Sequence, residues 1–79
     1  MPRLHFDLDR DHVELNQLLK LVGICDSGGA GKALVSSGAV VVDGHVELRK
    51  TCKIRSAQVV TIDDVEIHVL GDIPEGDAP

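Results

Sequence analysis

The apolar residues of this chain change their spacing twice, from alternation to a helical repeat and back. Residues 3–8 alternate, with Leu4, Phe6 and Leu8 on one side of an extended chain. This alternation is typical of a strand that buries one face. Between positions 14 and 22 the apolar residues instead lie three or four apart, at Leu15, Leu18, Leu19 and Val22. They share one face of a helix, so the spacing predicts a helix over 14–22.

The first helix is predicted to stop at Gly23, because glycine readily adopts the left-handed conformation that ends helices. Ile24 can then fold back onto Leu19, which is the apolar contact of a Schellman motif. We expect the polar side chains of this helix to face away from the core: Asn16, Gln17 and Lys20.

A second helix is predicted between Ser27, which is a good N-cap residue, and Gly38. Four of its residues recur at helical spacing and are expected to face the core: Ala30, Ala33, Leu34 and Ser37. Small residues on that face would let the two helices approach closely.

Strand-forming residues return at 39–42, and Asp43-Gly44 predicts a hairpin whose register stays open. A two-residue turn would put Val41 and Val46 on one face together with Ala39 and Leu48. A three-residue turn with a glycine bulge would instead pair Val40 with Val46 toward the core. Further strands are predicted over 58–62 and from 65 to about 70, joined by a turn at 63–64.

The length of 79 residues suits one small domain. We assign it to residues 1–70, with a core motif at 14–62 and flanking strands at about 3–8 and 65–70. Residues 71–79 contain two prolines and three acids and are predicted to form an acidic flexible tail. No apolar run has the length of a membrane span, and the N-terminus lacks the pattern of a signal peptide.

Charge is distributed unevenly along the chain. The formal net charge is -5, yet residues 27–62 hold five basic residues against two acidic ones. Four of the five fall within 49–55, where an extended chain would put Arg49, Thr51, Lys53 and Arg55 on one side. A basic segment between acidic flanks indicates a negatively charged partner. The alternative is that these side chains only keep a strand edge in solvent.

The segment 27–33 suggests a phosphate-binding loop but lacks the residues of the nucleotide-binding motif. That motif needs glycine where Asp26 stands and serine or threonine where Ala33 stands. Glycines in the first turn of a helix still expose backbone N–H groups, which can approach a phosphate. The alternative is that Gly28 only forms part of the loop that connects the two helices.

Other chemistry finds little support in the sequence. The single aromatic residue is Phe6, so a platform on which bases stack is absent. The histidines and the two cysteines, Cys25 and Cys52, do not have the spacing of metal ligands. We therefore predict no catalytic residue, no metal and no cofactor. Two cysteines outside a disulfide framework suggest a reducing, cytoplasmic location.

Three stretches in this order resemble the S4 RNA-binding domain, and most of all the small stand-alone bacterial proteins of the YbcJ type. They are Leu-Leu-Lys-Leu at 18–21, Ser-Gly-x-x-x-Lys-Ala at 27–33 and Glu-x-Arg-Lys-x-Cys-Lys at 47–53. The resemblance implies an α+β fold with the αL motif, in which two short helices pack on a small antiparallel sheet. It also favours the bulged hairpin, with Val40 and Val46 facing inward.

The resemblance further implies a non-enzymatic protein, with a role in translation or at the ribosome, that binds structured RNA of the rRNA or tRNA kind through phosphates and shape. The residues expected at the RNA are Ser27, Gly29, Gly31, Lys32, Arg49, Lys50, Lys53 and Arg55. We expect a monomer with no membrane contact and a possible protein partner at its acidic flanks. Many S4 domains carry arginine where this chain has Gly28. Two alternatives therefore stay open: a protein-interaction module with weak or lost RNA binding, and an accessory subunit of an RNA-modifying or ribosome-associated complex.

Overall fold

The computed structural model describes residues 2–71, and the predicted tail lies outside this range except for Gly71. Within residues 2–71, two helices and seven strands follow one another. Their bounds are β1 Arg3–Leu8, β2 Val13–Glu14, α1 Leu15–Leu21, α2 Gly28–Ser36, β3 Val40–Val42, β4 His45–Val46, β5 Lys53–Ile54, β6 Val59–Ile62 and β7 Val65–Gly71. In the described part of the chain, neither helix is long and apolar enough to cross a membrane.

Five strands form one sheet in the order β1-β7-β6-β3-β4, and β2 pairs separately with β5. The prediction of a purely antiparallel sheet is wrong at one edge, because β1 runs parallel to β7. The other pairs of the sheet are antiparallel. Parallel neighbouring strands need a long connection between them. Here that connection is the whole chain between β1 and β7, which contains all the other helices and strands.

One face of the sheet carries the core, as the alternation predicts. Buried side chains of the sheet point toward buried leucines of α1 and one valine of α2. The members of this core that are almost fully buried are Leu15, Leu18, Leu19, Val35, Val40, Ile54, Val60, Ile67 and Val69. Burying each of these side chains contributes about 1.5–3 kcal/mol, so the core is the main source of stability.

The end of α1 confirms the predicted Schellman motif. Gly23 has φ +88°, its N–H donates to the Lys20 carbonyl at 3.1 Å, and the Ile24 N–H donates to the Leu19 carbonyl at 2.9 Å. The prediction that Asn16 faces away from the core is wrong, because this residue is only 1% exposed. Asn16 lies in the first turn of α1, where the second helix covers it.

Helix α2 begins as predicted, since the Ser27 hydroxyl accepts a hydrogen bond from the Ala30 N–H at 3.2 Å. The predicted inward face is right only at Leu34, which is partly buried against the core. Gly31 and Val35 are buried, whereas Ala30 and Ala33 are exposed. The helix is rotated by one residue, or about 100°, from the predicted orientation. The cause is the close approach of α1, which leaves no room for a side chain at Gly31.

The hairpin has the two-residue turn, so the bulged register with Val46 facing inward is wrong. Asp43 and Gly44 both have positive φ, 50° and 87°, and Val41 pairs with Val46. Val40 is buried as predicted, but Val46 is 58% exposed on the outer face. The Asp43 carboxylate accepts bonds from the Val59 N–H at 2.9 Å and from Gln58 Nε2 at 3.0 Å. These bonds hold Asp43 in the left-handed conformation that a two-residue turn requires.

Candidate nucleic-acid interface

The segment 49–55, called here the basic loop, is bent rather than extended. The Cys52 N–H donates to the Arg49 carbonyl at 3.2 Å, which closes a turn. Only Lys53–Ile54 forms a strand, paired with β2. The extended conformation considered for this segment is therefore wrong, although Arg49, Thr51, Lys53 and Arg55 still line one hollow. Lys50 is exposed and is not among the residues that line this hollow.

The basic loop is attached to the N-terminus of α1 through backbone hydrogen bonds. The Leu15 N–H donates to the Cys52 carbonyl at 2.9 Å, and the Asn16 N–H donates to the Lys50 carbonyl at 3.1 Å. Helix N-termini have N–H groups without partners inside the helix, and Glu14 at the N-cap position makes no side-chain cap bond. The carbonyl groups of the basic loop accept hydrogen bonds from these helix N–H groups instead. The loop is therefore held against the helix, while its lysine side chains stay exposed.

Asn16 is the residue where α1, the start of α2 and the basic loop meet. A Cβ atom added to Gly31 would lie 2.7 Å from the Asn16 carbonyl oxygen. A Cβ atom on Gly28 would lie 3.5 Å from Asn16 Nδ2. The buried Asn16 Oδ1 has no hydrogen-bond partner among the described residues. Sequence reasoning missed this residue, because a lone asparagine in a helical repeat gives no signal of burial.

The start of α2 offers backbone donors at two positions. The N–H groups of Gly28 and Gly29 have no hydrogen-bond partner within residues 2–71. Gly29 is exposed, and the nearest atom to an added Cβ is Ser27 Oγ at 3.9 Å. The predicted RNA contact at Gly31 is not supported. Gly31 is buried between the helices, and its N–H already donates to the Ser27 carbonyl at 3.1 Å.

The two arginines of the basic loop are paired with carboxylates. Arg49 donates to Glu47 from Nε at 2.8 Å, from Nη2 at 3.1 Å and from its backbone N–H at 3.0 Å. Arg55 Nη1 lies 3.2 Å from Asp11 Oδ2. By contrast, the lysines predicted at the RNA are exposed and form no ion pair within the described part of the chain: Lys32, Lys50 and Lys53. The unneutralised charge therefore lies on lysines rather than arginines.

Pairing with Arg49 also changes the acidity of Glu47. The side-chain hydrogen bonds from Arg49, followed by its backbone N–H bond, lower the pKa of Glu47 from 4.5 to about 2. The ionised carboxylate is favoured in the folded chain, so this pair stabilises the fold above the unfolded pKa. That contribution is lost as the pH falls from 4.5 toward about 2.

We expect Glu47→Gln to lower the free energy of unfolding at neutral pH, with a deficit that shrinks steadily as the pH falls below 4.5. The reason is that wild-type Glu47 becomes protonated and loses the same ionic bonds that glutamine lacks. Urea unfolding over a pH series measures the deficit. Glu14→Gln removes a carboxylate with no hydrogen bond or ion pair to another described side chain, and so controls for net charge. A deficit that is the same at neutral and acid pH would contradict the assignment.

The basic loop carries an open hollow of about 430 Å³, lined by Arg49, Thr51, Cys52, Lys53 and Arg55. Cys52 and Cys25 are both free thiols, and burial raises the pKa of each. Within residues 2–71 no three His, Cys, Asp or Glu side chains are placed to hold a metal ion. The hollow therefore presents positive charge, a hydroxyl and a neutral thiol.

Comparisons with known proteins match most of the chain. A family model described as "S4 domain" matches residues 6–70. The chain is 46% identical over 59 residues to "Putative RNA-binding protein YbcJ" of Escherichia coli (strain K12), covering 75% of this chain and 84% of the relative. The same values hold for "Uncharacterized protein YbcJ" of Shigella flexneri.

The solution structure of YbcJ from E. coli is similar to this fold. It superposes with a TM-score of 0.66 at 43% sequence identity, covering 84% of this chain and 85% of YbcJ. That structure is described as revealing an αL motif involved in RNA binding. The predicted αL architecture of two helices on a sheet is confirmed.

Proposed function

The chain belongs to the S4 domain family, and from this membership we propose that it binds structured RNA without catalysing a reaction. The observation that carries the proposal is a group of exposed lysines that form no ion pair within residues 2–71: Lys32, Lys50 and Lys53. The description of the E. coli relative and its αL motif as RNA-binding supports the same function here.

The proposed contacts are to phosphates. Lysine ammonium groups bind phosphate oxygens as point charges. The exposed N–H of Gly29, together with the Ser27 hydroxyl at the N-terminus of α2, supplies neutral donors where the helix dipole favours an anion. Lys32 follows on the same helix. These groups are held near the basic loop because both meet α1 at Asn16.

We further propose that the protein recognises the shape of a folded RNA, such as an rRNA or tRNA segment, rather than a base sequence. A chain with one aromatic residue cannot stack several bases on aromatic rings. Phosphate contacts position a protein but carry no sequence information. The single domain at 1–70, the monomeric state and the cytoplasmic location remain predictions, as do a protein partner at the acidic flanks and a role in translation.

A protein-interaction module is the second candidate function. It is favoured by the net charge of -5 and by the neutralisation of Arg49 and Arg55 through Glu47 and Asp11. Because of these two ion pairs, fewer positively charged side chains are available to a phosphate than the sequence suggests. An accessory subunit of an RNA-modifying or ribosome-associated complex would use the same surface with another chain present.

Titration of a perfectly paired RNA duplex with the full chain at several salt concentrations tests the proposal. Three lysine–phosphate contacts predict that log K falls with log salt with a slope of about -2 to -3. A second duplex of unrelated sequence should bind with the same affinity, since the contacts are to phosphates. Failure to bind at low salt would favour the protein-interaction module, and binding that salt leaves unchanged would contradict phosphate contacts.

A further inference from the structure

We propose that the hollow of the basic loop binds one unpaired nucleotide of the RNA, with its base stacked on the guanidinium plane of Arg49. The inference rests on the proposed RNA binding and deepens it. It assigns the duplex phosphates to the lysines and an extruded base to the hollow, so the ligand class is a folded RNA with a bulged nucleotide.

The first support is the fixed position of the Arg49 guanidinium. Nε and Nη2 both donate to the two oxygens of Glu47, at 2.8 and 3.1 Å. Glu47 is itself held, because its side chain is only 16% exposed and also accepts the Arg49 backbone N–H. A bidentate pair fixes the guanidinium plane in orientation as well as in place. The plane is nevertheless accessible, since the Arg49 side chain is 78% exposed.

The second support is that this pairing suits a stacking platform better than a phosphate clamp. Two donors of Arg49 already face a carboxylate, and the neighbouring negative charge of Glu47 disfavours an incoming phosphate. The faces of the guanidinium remain free of these bonds. Unpaired RNA bases stack on arginine planes as they do on aromatic rings. An arginine held in place by two hydrogen bonds therefore supplies a flat surface for base stacking, which a chain with one aromatic residue otherwise lacks.

The third support is the size and composition of the hollow. Its volume of about 430 Å³ falls at the small end of the range for small-molecule sites, roughly 300–1,000 Å³. This suits a single nucleotide but not a base pair within a helix. Thr51 offers a hydroxyl to a base edge, and Lys53 places positive charge beside a flanking phosphate.

The test compares two RNA duplexes that differ by a single unpaired 2-aminopurine in one strand. Wild-type protein should bind the bulged duplex about tenfold more tightly than the paired one, as expected for one stacked base. The 2-aminopurine fluorescence should change on binding as the base moves from its RNA neighbours to the arginine. In Arg49→Lys the charge is kept and the planar fork is lost. We expect this variant to bind both duplexes equally, with the affinity of wild type for the paired one.

Two further variants separate position from charge. Arg3→Lys makes the same change in an arginine that pairs with Glu66 on the outer face of the sheet, 3.5 Å away, and should keep the tenfold preference. Glu47→Gln raises the net positive charge near the RNA. Charge alone would strengthen binding of both duplexes equally, whereas release of Arg49 should reduce the preference for the bulge.

The outcomes distinguish this inference from the function on which it rests. Equal binding of the two duplexes by wild-type protein, with the expected salt dependence, would overturn the nucleotide site and leave phosphate binding intact. A preference that persists in Arg49→Lys would also overturn it. Loss of all RNA binding by the wild-type chain would overturn both.

Discussion

Replacing Gly31 with alanine is expected to lower the free energy of unfolding by about 2 kcal/mol. The added Cβ would lie 2.7 Å from the carbonyl oxygen of Asn16, and because this atom belongs to the backbone, no rotamer change relieves the contact. The helices must separate, which costs up to about 3 kcal/mol, while the better helix propensity of alanine returns up to about 1 kcal/mol. In a domain of this size the melting temperature should fall by about 10 °C.

Gly29→Ala is the matched control for this prediction. It lies on the same helix two residues earlier, where the nearest atom to an added Cβ is 3.9 Å away. The substitution should therefore raise the free energy of unfolding by up to about 1 kcal/mol through helix propensity. Thermal and urea unfolding of the two variants measure the difference. Equal changes in the free energy of unfolding, with the same sign in both variants, would contradict the close contact between α1 and α2 at Gly31.

Replacing Lys50 and Lys53 together with alanine is expected to weaken duplex RNA binding by on the order of a hundredfold at low salt. Each lysine is assigned one charge-assisted contact to a phosphate, at about 1.5 kcal/mol or tenfold in affinity. The slope of log K against log salt should become shallower by about 1.5 for the two lost contacts. Filter binding or fluorescence anisotropy over a salt series gives both quantities.

Lys20→Ala serves as the control for the lysine variant. Lys20 is an exposed lysine in the last turn of α1, whereas the basic loop is held at the first turn. We expect its loss to change affinity far less than the loss of Lys50 and Lys53. An equal loss in the two variants would mean that RNA responds to net charge only, and no loss in either would remove the basic loop from the interface.

The division of charge within the basic loop shows where sequence reasoning reached its limit. The sequence places Arg49, Lys50, Lys53 and Arg55 close together, and in the structure Arg49, Lys53 and Arg55 line one hollow. It cannot show that Arg55 meets Asp11, which is 44 residues away along the chain. Pairing over such a distance depends on how β2 and β5 meet. The effective charge of a patch is therefore a property of the fold rather than of the local sequence.

Asn16 and Gly31 show a second limit, which concerns helix faces. The repeat of apolar residues in α1 is strong, and its buried leucines are as predicted. In α2 small residues occur on more than one face of the helix, so the periodicity does not show which face is buried. The choice is made by the backbone of α1, which approaches closely enough to require a residue without a side chain at position 31.

Both helices, the longer strands, two helix caps and the family of this protein can be read from its sequence, whereas the short pair of β2 and β5 cannot. Alternation, the Schellman glycine, the Ser27 cap and the Asp43-Gly44 turn act between residues that are neighbours in the chain, so they can be recognised locally. The tertiary structure alone decided the parallel pairing of β1, the hairpin register, the inward face of α2 and the neutralisation of Arg55. Each of these depends on contacts between distant segments. The net stability of a small domain is only a few kcal/mol. A few contacts between distant segments are therefore enough to favour one arrangement over another.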